Sequence, residues 1–210
     1  MRVRPRLTGS TSMITGTRVS LLFLSLLLIW PISSLGSEDM DTVMGLLARV
    51  SLSESSYLEE KHYDMLDIPM VRSGQLSYRA PDFLSWAQGQ NGQLRFEIHG
   101  NEMTAYRGNR VHQRMPLDSV PAASAFVESF RATLAGDARR LSEHYYIAFS
   151  GQPESWQLSL KPRHDDIGRY VEHILISGQS DRIHEIRIEE SNGDWSLMRL
   201  ESLKQEYHAG

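Results

Sequence analysis

The chain has 210 residues, with 22 Lys and Arg against 26 Asp and Glu, a formal charge of −4, and 40% hydrophobic residues. These globular proportions exclude a disordered tail or a fibrous repeat, and the slightly acidic balance argues against nucleic-acid binding, which needs a clustered basic face. The absence of cysteine excludes a disulfide scaffold, a thiolate metal site, a thiol nucleophile and a lipidated N-terminal cysteine.

Residues 1–18 carry Arg2, Arg4, Arg6 and Arg18 and no acid, and residues 19–32 (VSLLFLSLLLIWPI) are dominated by apolar side chains. A basic flank, a short apolar run closed by Pro31, and the small residues Ser34 and Gly36 predict a secretory signal peptide over residues 1–36, cleaved before Ser37. The run is shorter than the roughly 20 apolar residues of a spanning helix. Removal of residues 1–36 takes away four Arg and leaves 174 residues with 18 basic and 26 acidic side chains, a formal charge of −8. The expected address is the periplasm, and residues 37–210 are expected to form one domain.

Met40, Val43, Met44, Leu47 and Val50 recur at three- and four-residue spacing behind Glu38, Asp39 and Asp41, which predicts an amphipathic helix with an acidic first turn. The Ser-rich segment 51–56 is expected to end it. From residue 57 the period changes to two. Residues 57–63 read as a strand of mixed polarity, and residues 74–79 place Leu76 and Tyr78 on one face. Residues 83–87 place Leu84 and Trp86 together, and Leu94, Phe96 and Ile98 alternate with Arg95, Glu97 and His99. Asn91-Gly92, Gly100-Asn101, Gly108-Asn109 and Asn192-Gly193 lie between such runs, where hairpins need positive φ. Residues 116–121 read as a loop. Ala122, Phe126, Phe130 and Leu134 then form one stripe of a second helix, with Val127 beside it and Gly136 placed to end it. Further strands are expected at residues 145–149, 156–160, 170–177, 182–189 and 195–203.

About ten strands and two helices make a mainly β protein with α elements (α+β), built on one large antiparallel meander. Two short helices cannot fill a wide curved sheet. Two arrangements are therefore open: an apolar concavity, or a closed barrel filled by its own side chains.

Eight histidines show no HExxH or related pair. His173 with His184, His99 with His112, and the His164-Asp165-Asp166 loop are the nearest approaches to a metal set, and strand alternation puts most of them toward solvent. No metal and no other cofactor is expected. There is no GxSxG elbow, and Ser150-Gly151 and Ser177-Gly178 are turn material. Glu59-Glu60, Asp165-Asp166 and Glu189-Glu190 are sequence neighbours, so on strands each pair points to opposite faces. The chain carries no enzyme signature. What remains is apolar: Leu76, Tyr78, Leu84, Trp86, Phe96 and Ile98 on three strands, with Phe126 and Phe130 on the helix, form either a core or the wall of a lipid-binding cavity. His62, Arg95 and Arg107 are candidates to meet a polar head group, against the simpler reading of surface residues.

The order and spacing of several phrases resemble the LolA family of periplasmic lipoprotein carriers, in its divergent LolA-like branch. They are residues 57–61 (YLEEK), 69–86 (PMVRSGQLSYRAPDFLSW), 129–137 (SFRATLAGD), 149–151 (FSG), 156–162 (WQLSLKP), 174–178 (ILISG) and 193–196 (GDWS). The resemblance implies an incomplete, strongly curved antiparallel barrel with helices covering its open side. It implies a monomeric carrier that takes an acylated lipoprotein or other lipid cargo from an inner-membrane donor complex to an outer-membrane acceptor, without covalent chemistry. It also implies an alternative, a lipid-sensing or scaffolding domain of an envelope lipid or pigment export system that binds a protein partner and shuttles nothing. One departure stands out. The family places an Arg directly before the Pro of the Pro-Asn/Asp segment, where it bonds to lid backbone; here that position is Ala80, and Arg79 belongs to the other face.

Overall fold

The computed structural model describes residues 35–89 and 93–208. The expected signal segment therefore lies outside the described residues, except that Leu35 and Gly36 open the first helix, and so does the Asn91-Gly92 turn. Helix α1 (Leu35–Leu47) leads into β1 (Val50–His62), β2 (Met70–Arg79), β3 (Phe83–Gln88), β4 (Leu94–His99), β5 (Glu102–Arg107) and β6 (Arg110–Pro116). A 3-10 turn (Leu117–Ser119), α2 (Pro121–Leu134) and α3 (Ala138–His144) follow. The chain then forms β7 (Tyr145–Gln152), β8 (Ser155–Pro162), the one-turn α4 (Asp165–Gly168), β9 (Val171–Gln179), β10 (Arg182–Glu190) and β11 (Trp195–Tyr207).

All eleven strands belong to one sheet in the order β6-β5-β4-β3-β2-β1-β11-β10-β9-β8-β7. Every neighbouring pair is antiparallel. The order is a meander in two runs, joined where β1 pairs with β11. The edges are β6 and β7, and they do not pair with each other. Residues 117–144, which carry α2 and α3, connect them in sequence. This is the expected incomplete antiparallel barrel with helices at its open side.

Several local expectations are corrected. Residues 51–56 do not end the first helix; they are the first half of β1. Serine is not among the β-branched and aromatic residues that strands favour, but this segment is bonded on both sides, by β2 and by β11, and pairing overrides propensity. Its small inward side chains, Ser53 and Ser55, lie where Phe130 and Leu134 of α2 approach the sheet. Strand β5 and the edge strand β6 were marked only by the turns at Gly100-Asn101 and Gly108-Asn109, and the helix α3 was not anticipated. Strand β6 is exposed along almost its whole length, so it has no buried face to impose alternation. Helix α3 starts at Asp137, whose carboxylate accepts from the Arg140 backbone N–H at 2.9 Å. The segment expected as a loop at 116–121 contains the 3-10 turn, with Leu117 buried, and residues 165–168 form α4 rather than a loop.

Helix α2 explains how the open sheet is filled. Pro121 sits in its first turn, and Phe126, Val127, Phe130 and Leu134 form its apolar stripe. Every residue from 125 to 134 except Glu128 is buried. Its buried hydroxyls are satisfied within the helix, Ser129 donating to the Phe126 carbonyl at 2.9 Å and Thr133 to the Ser129 carbonyl at 2.7 Å. The rest of its surface meets Val43, Met44 and Leu47 of α1, Leu141 of α3, and the inward side chains of the strands, all in one core cluster. Gly136 ends this region with φ at +62°, and a Cβ there would lie 2.1 Å from the Met44 carbonyl oxygen. Only glycine lets the end of α1 rest on the α2–α3 junction. A second glycine allows a close approach within the sheet. A Cβ on Gly74 would lie 1.9 Å from the Ala87 carbonyl oxygen, so β2 and β3 approach more closely there than any side chain allows.

Candidate functional site

Strand register assembles the expected apolar residues into two rungs across the concave face. Leu76 is opposite Trp86, and Trp86 is opposite Phe96; Tyr78 is opposite Leu84, and Leu84 is opposite Ile98. The rungs continue onto β5 at Ala105 and Met103, and onto β1 at Ser55 and Ser53. Helix α2 lays Phe126 and Phe130 over them. Their rings stack at 5.8 Å and 15°, and the Phe126 ring lies 6.0 Å from that of Trp86. Thus all eight residues share one cluster: six are buried, while Trp86 and Phe96 are half-buried and packed against it.

The two arrangements left open by the sequence are resolved in a third way. The sheet is not closed, yet its concave face is occupied, because α2 fills it. Between Ser53, Ser55, Leu76, Tyr78 and Phe130 there remains a gap of about 20 Å³, room for one water and no more.

Polar ties hold α2 to both halves of the sheet. Arg131, with a side chain only 3% exposed, donates from Nη1 to the Gly100 carbonyl in the β4–β5 turn at 3.0 Å and lies 3.2 Å from Glu128. Its Nη2 is 3.7 Å from Asp82 in the β2–β3 turn. Glu128 in turn meets Arg140 of α3 at 2.5 Å. From the opposite edge, Tyr145 on β7 donates its hydroxyl to the Ala125 carbonyl at 3.1 Å, and burial raises the pKa of that phenol. Ala80 takes no part in these ties by side chain. The arginine that grips the helix–sheet boundary comes from the helix, and the backbone it grips belongs to the sheet.

Strand β1 contributes a polar strip to the otherwise apolar concave face. Ser53, Ser55, Tyr57, Glu59 and Lys61 alternate inward, while Leu58 and Glu60 face out. Glu59 and Glu60 therefore point apart, and Glu60 accepts from Arg199 at 2.7 Å. Lys61 is bound to Glu190. Burial raises the pKa of Glu59 despite the nearby Arg72 and Lys61 cations. Burial also pushes the Tyr57 phenol up to about 12 and raises Tyr78.

Sequence reasoning missed Tyr57, Glu59 and Arg131 as site residues. The first two lie in the phrase 57–61, where strict alternation already puts them on one face. Arg131 sits in the block 129–137 at a position between apolar stripe residues. The three head-group candidates do not reach the concave face. His62 stacks on Trp195 at 3.7 Å, Arg95 pairs with Glu97 at 3.2 Å and lies over the Tyr106 ring, and Arg107 is exposed at the β5–β6 tip. The expected histidine groupings are engaged otherwise: His173 bonds to the Ser159 hydroxyl at 2.6 Å, and His99 is 3.3 Å from Asp82. No group of three His, Asp or Glu among the described residues could hold a metal ion.

A family model described as "Outer membrane lipoprotein carrier protein LolA-like" matches residues 33–202. Among curated proteins no match is found. Similar solved structures include a LolA superfamily protein from Nitrosomonas europaea, with 7% identity, 83% of this chain and 94% of that one covered, and a TM-score of 0.44. A domain from Vibrio parahaemolyticus, described as an outer membrane lipoprotein-sorting protein, has 10% identity, the same coverage of 83% and 94%, and a TM-score of 0.45. The MucA/MucB complex of Pseudomonas aeruginosa matches at 10% identity over 83% of this chain and 58% of that one, with a TM-score of 0.35.

Proposed function

The chain belongs to the LolA-like family of outer membrane lipoprotein carrier proteins, and on that premise we propose that it is a periplasmic carrier whose acyl-binding cavity is plugged at rest by its own helix α2. In this reading Leu76, Tyr78, Leu84, Trp86, Phe96 and Ile98 are the wall that meets an acyl chain. Phe126 and Phe130 are the plug that the chain displaces. Residues 37–210 act as a monomeric mature domain, loaded by an inner-membrane donor and emptied by an outer-membrane acceptor.

The observation that carries this reading is the placement of two stacked phenylalanines against the apolar rungs, on a helix tied to the sheet by a few polar contacts. Shielding one methylene from water is worth about 0.8 kcal/mol, so a sixteen-carbon chain represents on the order of 12 kcal/mol. Lifting α2 exposes Phe126, Val127, Phe130 and Leu134 together, at roughly 6–12 kcal/mol, and breaking the α2 ties adds a few more. The two sides are of the same order, so small differences at a donor or an acceptor tip the exchange either way. Nothing in it needs covalent chemistry.

The test is native mass spectrometry of the periplasmically expressed mature chain, with organic extraction of whatever is bound. One acylated molecule per chain is expected. A ligand-free monomer that also refuses added acyl probes would defeat the carrier reading.

A second reading, a lipid-responsive domain that binds a protein partner without shuttling, is favoured by the β1–β2 loop. It exposes Met65 at 94%, Ile68 at 77% and Leu66 to a lesser degree, next to an exposed Met70 at the start of β2, more apolar surface than one loop keeps without a use. Transfer of a labelled acyl probe between two vesicle populations separates the readings, because a carrier accelerates it and a fixed scaffold does not.

A further inference from the structure

Four buried side-chain polar atoms have no hydrogen-bond partner among the described residues: Tyr57 Oη, Glu59 Oε2, Trp86 Nε1 and Arg131 Nε. Folded proteins leave few such atoms, and each one calls for an explanation. Here three of the four fall in one place. Tyr57 and Glu59 are alternate residues of β1 and so share its inner face. The Trp86 ring meets that of Tyr57 edge-on at 6.2 Å, and its Nε1–H lies near enough to Tyr57 Oη to moderate the rise that burial gives that phenol's pKa, but not in the geometry of a hydrogen bond. Glu59 is 6% and Tyr57 3% exposed. The group stands at the end of the apolar rungs where Trp86 and Phe96 are only half-buried, with the Phe126 ring of the plug against Trp86.

The three atoms differ in what they can bond. Trp86 Nε1–H only donates, Tyr57 Oη–H donates or accepts, and the Glu59 carboxylate oxygen accepts. We infer that they form a head-group station for an acyl chain in amide linkage. The amide carbonyl would accept from Trp86 and Tyr57, and the amide N–H would donate to Glu59. From that point the hydrocarbon would run along Phe96, Leu76 and Leu84 into the space α2 vacates. An ester supplies the carbonyl but leaves Glu59 without a donor. A free fatty acid brings a second carboxylate against Glu59 and Glu190. Arg72 lies opposite Glu59 on β2 but forms no ion pair with it, and Lys61 is already held by Glu190. The inference rests on the carrier reading and adds to it the linkage chemistry of the cargo.

The experiment compares two probes on the delipidated mature chain, N-ethylhexadecanamide and ethyl hexadecanoate, by competition with a fluorescent apolar dye. They share chain length and differ in the N–H. The wild-type chain is expected to favour the amide about tenfold, the usual consequence of leaving a buried polar group unpaired. In Glu59→Met the ratio of the two affinities should fall toward one. Its melting temperature should equal or exceed that of the wild type, because the carboxylate it removes is unsatisfied in the unliganded fold. Equal wild-type affinities would overturn the head-group station, and would point to ordered water on these atoms, while leaving the carrier reading intact. Failure of both probes to bind would instead sink the carrier reading. A large drop in melting temperature for Glu59→Met would make Glu59 structural and also overturn the inference. Should that variant not fold, the wild-type ratio and Tyr57→Phe, expected to weaken both probes alike, still decide the matter.

Discussion

Arg131→Met removes the guanidinium that ties α2 to the sheet while keeping an apolar stem of similar reach. Three interactions are lost. The bond to the Gly100 carbonyl is charge-assisted and made by a buried side chain, so it is worth about 1.5–3 kcal/mol. The contacts with Asp82 and Glu128 are weaker, because those acids are 35% and 27% exposed and water can take over their solvation; together they add no more than about 1 kcal/mol. The variant should therefore ease α2 opening by about 2–3 kcal/mol, roughly a 30-fold to 150-fold rise in the open population. Native-state hydrogen exchange reads this directly. Amides of residues 125–134 should lose protection by that factor, while those of β9 and β10, remote from the break, keep theirs. Unchanged exchange in α2 would show that Arg131 does not latch the helix. A uniform loss over the whole sheet would show that α2 never opens alone, and either result refutes the plug.

Phe130→Ala should lower stability by about 3–5 kcal/mol, measured by urea unfolding, and yet tighten binding of an acyl probe, since part of the plug is already gone. Gly136→Ala forces both a left-handed φ and a Cβ into the Met44 carbonyl; it should cost more than about 1 kcal/mol and lower the thermal midpoint. The raised pKa of Glu59 makes the folded chain hold its proton more tightly than the unfolded chain does. Its contribution to stability is accordingly greatest at acid pH and declines as pH rises from about 4.5 through the raised value. In Glu59→Gln, urea midpoints measured from pH 4.5 to 8 should lose that decline and exceed the wild-type midpoint at pH 8.

The strands with one wet and one dry face were readable because their side chains alternate, as in Leu94-Arg95-Phe96-Glu97-Ile98. The rungs followed from the same alternation, and the register confirms that Trp86 meets both Leu76 and Phe96. The second half of β1 was readable in the same way, but its first half, residues 51–56, was not. Between β2 and β11 its pairing is decided by its neighbours, so serines could take strand conformation without any signal of their own. The same strand turns Glu59 and Lys61 inward, an arrangement that composition argues against, since such residues are almost never buried unless paired. Arg131 was hidden for a related reason. On a helix, a charge between apolar positions normally marks the solvent face, and only the tertiary fold, which wraps the turns at Gly100 and Asp82 around α2, makes that position interior. That α2 fills the concave face was invisible in sequence, because an apolar stripe reads the same whether it lies on a surface or fills a hollow.

The pairing of β1 with β11 bears on how the molecule comes into being. These are the two longest strands, thirteen residues each, and they come from opposite ends of the sheet-forming sequence, with Val50 meeting Tyr207 and His62 meeting Trp195. All other strand pairs join sequence neighbours through short connections. Two local meanders can thus collapse early, but the contact that unites them has very high contact order, and the entropy of bringing its partners together is lost before the pairing returns anything. The strand that β1 needs is also the last of the eleven to be synthesised. Until it arrives, the chain holds two half-sheets, each with an apolar face and a bare edge, and that interval is when it is most exposed to aggregation or to capture by a chaperone.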